Sequence, residues 1–166
     1  RWLSLTPSLP GSTFGGDQSG CPRILTAAVL RPDGAAEPIL FLNTHLDHKG
    51  ATARLLGAAE IMQYVADKGL HFVITGDMNA LPGTKEIQAF TTPAAVGAPV
   101  SDLTEDITGT FHKFGAYDEA HMSKIDYIFT DLAADKTESY RVEDTPVDGV
   151  YLSDHFPVVA FVEIAE

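Results

Sequence analysis

The chain has 166 residues, 45% hydrophobic and 20% charged, with a formal net charge of -12. That is enough for one domain with a sizeable core. No apolar run is long enough to span a membrane, and with Cys21 as the only cysteine neither an internal disulfide nor a cysteine-rich zinc site is available. The acidic balance lacks the broad basic footprint of a polyanion binder, so a nucleic-acid partner stays open but is not favoured.

In chain order, Trp2 to Leu5 reads as the tail of a strand, and the Gly-, Ser- and Pro-rich stretch from Pro7 to Pro22 as a long loop. Ile24 to Leu30 is a strand, Pro32-Asp33-Gly34 a turn, and Ile39 to Thr44 a strand apolar enough to be buried on both faces. Ala51 to Lys68 is the clearest helix. Its expected apolar stripe is Leu55, Ala59, Met62 and Ala66, widened by Leu56 and Val65, and Gly69 is its stop. His71 to Thr75 is a short buried strand. Thr84 to Phe90 is a short helix, and Thr91 to Tyr117 holds little regular structure. Ile125 to Thr130 and Pro157 to Ile164 are strands, and Ser139 to Glu143 is a strand at a sheet edge. Strands with one long helix between two of them make an α/β layered domain without internal repeats.

Four motifs stand at the ends of these runs: Asn43-Thr44-His45, Gly76-Asp77-Met78-Asn79, Lys124-Ile125-Asp126-Tyr127 and Ser153-Asp154-His155-Phe156-Pro157. Side chains at strand ends can converge on one cleft. Carboxylates suit a hard cation and imidazoles an oxyanion, a mixture suited to metal-assisted hydrolysis of a phosphate ester.

Asp77 and Asn79 are two apart, so an extended backbone points both the same way, one to a cation or water and the other to a phosphate oxygen. The rival reading is a turn. Asp154 and His155 face opposite sides at the entry to the last strand, so one can serve a metal and the other the substrate. Asp126 is the candidate partner that orients His155 in a general acid-base dyad; its rival is a buried ion pair between strands. His45 beside Asn43 is poorly explained by packing. His48 either lines the cleft or caps the next helix.

A zinc site from His45, Asp47 and His48 is conceivable, but the mostly oxygen donor set favours magnesium or manganese. Arg54 can reach a substrate anion or be a solvated helix residue. Thr110-Phe111-His112 can offer a ring and an imidazole, with His112 as the substrate-binding candidate, although a loop Phe usually just anchors its loop. His71 and His121 read as structural or exposed.

At these motifs the chain resembles the endonuclease/exonuclease/phosphatase superfamily, from about Trp2 to its end. The resemblance implies a deoxyribonuclease I-like, four-layered α/β sandwich and a Mg2+- or Mn2+-dependent phosphoesterase whose substrate it does not specify. It implies that His45 contacts the phosphate or assists the leaving group, that Asp77 orients or activates water, and that Asn79 holds the phosphate. Asp126 would pair with His155, and Asp154 would lie at the metal with Asp77.

The family's opening Asn and metal-binding Glu motifs do not appear, so residues 1–166 are expected to be one domain lacking its first part. Such a piece is expected to bind metal weakly, to self-associate through bared apolar surface and to be partly disordered between Trp2 and Pro22. Export and a cytoplasmic location both stay open. The alternative function is a non-catalytic binding module that kept the fold.

Overall fold

Short apolar runs pair into a mixed sheet in the computed structural model, which describes residues 1–132, 137–143, 145–162 and 164. In chain order the elements are β1 (Leu25–Leu30), β2 (Ile39–His45), α1 (Ala51–Lys68), β3 (Phe72–Asp77), α2 (Lys85–Thr91), β4 (Ser101–Asp102), β5 (Asp126–Thr130), β6 (Thr137–Arg141) and β7 (Val158–Val162). The main sheet runs β1-β2-β3-β5-β4, and β6 and β7 pair separately. Only β2 and β3 are parallel, because α1 carries the chain back between them.

The period of two along β2 sorts its side chains. Leu40, Leu42 and Thr44 are buried toward the helices, whereas Phe41, Asn43 and His45 are exposed. Leu40, Leu42, Phe72, Ile74, Tyr127 and Phe129 meet Ala58, Ile61, Met62 and Val65 of α1 and Phe90 of α2 in one core. Each such large apolar side chain contributes about 1.5–3 kcal/mol on full burial. The expected burial of β2 on both faces is therefore corrected. The second face is bare around β1 and β2, where Leu30 and Phe41 lie exposed.

The stripe of α1 is also rotated from the expected one. Ala53, Gly57, Ala58, Ile61, Met62 and Val65 are buried, and Leu55 and Leu56 are exposed. Small residues at 53, 57 and 58 let the helix lie close to Leu3 and Leu46; a Cβ on Gly57 would come 3.2 Å from Leu46. Periodicity scored on bulky residues misses a face built on small ones.

Trp2 makes a single bridge to Ile24 rather than a strand tail. The edge strand β6 lies two residues earlier than its apolar alternation suggests. Of the expected last strand, Glu163 lies outside the described residues. The loop from Pro7 to Pro22 carries no helix or strand, yet it is fastened to α1. Asp17 accepts from the Thr52 and Ala53 amides at 2.8 and 3.1 Å, standing in for a cap that Gly50 cannot provide. No helix among the described residues is long and apolar enough to cross a membrane.

Candidate active site

Register brings the site together. His45 ends β2 opposite Asp77 at the end of β3, and Asp77 stands opposite Asp126 at the head of β5. Residues directly opposite one another share a face, so three strands deliver an imidazole and two carboxylates in one row. The row lies on the sheet face away from α1, continuing the exposed positions of β2.

Gly76 allows the close approach of β2 and β3. It has φ 149°, and a Cβ there would sit 1.9 Å from the Thr44 carbonyl oxygen. Only glycine fits the end of this strand.

His155 arrives from the segment before β7. Its Nδ1 lies 2.8 Å from Asp126 Oδ2 and its Nε2 3.9 Å from Asp77 Oδ2. Since the carboxylate accepts, Nδ1 carries the proton and Nε2 faces Asp77. His45 Nε2 approaches the same oxygen at 3.3 Å, so Asp77 Oδ2 stands between two imidazoles.

Thr110 braces the dyad. Its Oγ1 accepts from the Ile125 and Asp126 amides at 3.1 and 3.2 Å, and its carbonyl accepts from the Phe156 amide at 2.7 Å. The Phe111 ring lies 5.0 Å from that of His155. Of the two readings of this loop ring, the contact with His155 suits the anchoring one.

Proton affinities follow from these surroundings. Burial, with the Asp126 charge adding to it, pushes the Asp77 carboxyl up to about 6 against the Asn79 amide bond. The Asp126 hydrogen bond raises His155. Burial and the Arg23 charge lower His45.

Asp77, Asp126 and His155 offer ligand atoms within 4.8 Å of one another. Two neighbouring carboxylates, one of them reluctant to ionise, fit a divalent cation in charge. They supply fewer oxygens than magnesium prefers, so water or further protein groups must complete its shell.

Other expected residues sit differently. Asn79 is not extended: at φ 49° it folds back, its amide donates to Asp77 Oδ1 at 2.8 Å, and its Nδ2 donates to the Leu46 carbonyl at 3.1 Å. The same-side argument for Asp77 and Asn79 gives way to a turn that fixes Asp77. Asp154 is outside the three-residue ligand cluster; its carbonyl accepts from the His112 and Lys113 amides. His112 is 1% exposed, stacked 4.2 Å from Phe156, with Nδ1 accepting from the Gly115 amide, so it does not open to the cleft. Arg54 is neither free for substrate nor solvated: it donates to Glu86 at 3.1 Å and to the Asp47 carbonyl at 3.1 Å.

Asp47 is 2% exposed and accepts from the Ser19 hydroxyl and from the Ser19, Lys49 and Gly50 amides. Burial alone would raise its proton affinity, but these bonds hold it well below the usual carboxylate range. Its oxygens are spent on the fold, which removes the zinc arrangement with His45 and His48. His48 does not cap α1, whose start at Gly50 has no side-chain cap; its Nδ1 meets Arg23 Nη2 at 3.1 Å. Lys124 is also structural, in a buried pair with Asp102 at 2.8 Å and over the Tyr127 ring.

Arg23, and the bracing role of Thr110, are what sequence reasoning missed in this region. No spacing marks Arg23, which reaches the site only because β1 lies beside β2.

No family model and no curated protein matches the sequence. Solved structures do. An endonuclease/exonuclease/phosphatase from Bacteroides vulgatus matches with a TM-score of 0.82 and 26% identity, over 99% of this chain and 63% of that one. A functionally unknown conserved protein from Enterococcus faecalis V583 gives 0.78 and 28%, over 98% of this chain and 64% of that one. A mannosyl-6-phosphatase from Bacteroides thetaiotaomicron VPI-5482 gives 0.74 and 26%, over 98% and 64%. The chain thus spans a little under two thirds of the length of these structures.

Proposed function

We propose that this chain, which has the deoxyribonuclease I-like fold of the endonuclease/exonuclease/phosphatase family, carries the catalytic half-site of a divalent-metal-dependent phosphoesterase. The observation that carries the reading is Asp77 Oδ2 set between the Nε2 atoms of His45 and His155, with His155 held from behind by Asp126.

In this reading Asp126 fixes the tautomer of His155 and stabilises the positive charge that the ring gains. Asp77 and His155 share a proton and orient a water for attack on phosphorus. The ester P–O bond breaks opposite the attacking oxygen, and His45 meets the phosphoryl or leaving oxygen. Asn79 holds Asp77 in place through its amide, a role its backbone bond supports better than direct phosphate contact. Asp77, with Asp126 beside it and Asp154 nearby in sequence to His155, would hold Mg2+ or Mn2+. When bound, such an ion supplies neutralisation of phosphate charge. The mannosyl-6-phosphatase neighbour supports a phosphate ester as substrate.

The test is a magnesium-supplemented panel of phosphate mono- and diesters with the full-length protein. Asp77→Asn and His155→Ala each lower kcat by roughly 100-fold or more while the fold persists. Wild-type rates in Asp77→Asn refute the assignment. Silence of the wild type across the whole panel favours the non-catalytic module.

A further inference from the structure

Among the described residues Arg23 and Arg31 are the arginines with no acidic partner, and of the two only Arg23 is partly buried. Arg1, Arg54 and Arg141 engage Glu60, Glu86 and Glu143 at 2.8, 3.1 and 2.9 Å. Among the described residues no carboxylate lies within 4.0 Å of the Arg23 guanidinium, whose hydrogen bond is to His48 Nδ1 at 3.1 Å. Its Nε is buried without a partner. Leaving a guanidinium donor buried and unsatisfied works against the fold, so an arginine kept there for packing alone is poorly explained.

Its place in the sheet explains it better. Leu25 stands opposite Thr44, so Arg23 lies at the sheet end that presents His45 and Asp77. The Leu3 amide donates to the Arg23 carbonyl at 2.8 Å and anchors the backbone there.

The tautomer of His48 follows from the contact. Arginine has donors only, so His48 Nδ1 accepts and its proton sits on Nε2. The pair therefore offers the guanidinium fork and an imidazole N–H beside the acid–imidazole row. Both are donors, and one bears a fixed positive charge.

We propose that Arg23, oriented by His48, binds the terminal oxygens of a phosphate monoester and selects it over a diester. The inference rests on the phosphoesterase reading above. A monoester phosphate carries about -1.5 to -2 charge near neutrality, against a single charge on a diester. It also has three terminal oxygens where a diester has two. The additional oxygen and charge are what a guanidinium fork recognises best. In a diester that oxygen bears an organic group, which leaves the fork one fewer charged oxygen and about half the counter-charge. The net charge of -12 works in the same direction, since it disfavours a long polyanion outside the cleft.

The experiment compares p-nitrophenyl phosphate with bis(p-nitrophenyl) phosphate, using the full-length protein and magnesium. Arg23→Gln lowers kcat/KM for the monoester by about 100-fold, mainly through KM, and leaves the diester within about 3-fold. His48→Gln lowers the monoester value by about 10-fold, because the fork loses its orienter. Arg23→Lys keeps the charge without the fork and recovers only part of the loss. It also serves where Arg23→Gln fails to fold. Equal losses on both substrates, or an unchanged monoester value, overturn the proposal.

A second readout separates it from the general reading. Inorganic phosphate is titrated into wild-type protein labelled with 15N-arginine, and the Arg23 Nε–H resonance is followed. A saturable shift upholds the anion site even if neither ester is hydrolysed, in which case the phosphoesterase reading fails alone. No shift at Arg23 overturns the clamp.

Discussion

Asp77 shows how one carboxylate can be useful and costly together. Burial lifts its pKa to about 6 from 3.8, so the folded chain binds that proton more tightly than the unfolded chain does. The stabilising effect is complete below about 3.8 and is lost as pH climbs through 6. His155, also raised, acts in the same sense: its contribution is present below 6.5 and fades above. Without metal, Asp77 and His155 together are therefore expected to make the fold less stable at pH 8 than at pH 6, with the lowered His45 acting in the opposite sense. Asp77→Asn relieves the ionised, desolvated carboxylate. Its Tm in chelator should exceed that of wild type at pH 8, by roughly 2 kcal/mol of stability, and converge with it near pH 4. A wild-type protein more stable than Asp77→Asn at pH 8 would show that ionised Asp77 is fully compensated by its two imidazole neighbours.

At the scale of elements, α1 depends on a residue far away in sequence. Gly50 has no side chain to cap the helix, and its own amide is taken by Asp47 at 2.7 Å. Asp17 reaches in from the loop, and a Cβ on Gly50 would come 2.7 Å from it. The Thr52 amide bond leads in lowering the Asp17 proton affinity, so this link holds at neutral pH and is lost as pH falls below the usual carboxylate range. Asp17→Ala should speed hydrogen exchange at the Thr52 and Ala53 amides and lower Tm. Unchanged exchange at those two amides would assign the start of α1 to its packing alone.

The elements themselves were legible: strong alternation and apolar runs placed β1, β2, α1, β3, α2 and β5 within a residue or two, because short-range propensity and burial agree there. What was not legible came from distance. The loop acid that caps α1, the small-residue face of that helix and the exposed side of β2 depend on neighbours in space. The same division holds in the site. The convergence of Asp77, His45, Asp126 and His155 was legible because the first three stand at strand ends and His155 shortly precedes β7. Asp47, His112 and Arg54 looked equally chemical, but the fold had already claimed their polar atoms.

Over the described residues, helices cover one face of the main sheet, and the β6–β7 pair meets the sheet at β5. Leu30 and Phe41 remain exposed across the open part, on adjacent strands. Residues 1–166 taken alone are expected to associate as concentration rises. Light scattering of this stretch against a Leu30→Ser, Phe41→Ser variant checks it: the variant should stay smaller at equal concentration. Indistinguishable sizes would place any association elsewhere.

The bracing by Thr110 bears on how this molecule tolerates change in length. One short stretch touches the head of β5 through a hydroxyl and the approach to β7 through a carbonyl. The distance between the acid and the ring it steers is thus gauged locally, like a spacer bolted between two beams. A single residue gained or lost between Thr110 and His112, or between His155 and Pro157, would slide one beam past the other and uncouple the pair while leaving both side chains in the chain.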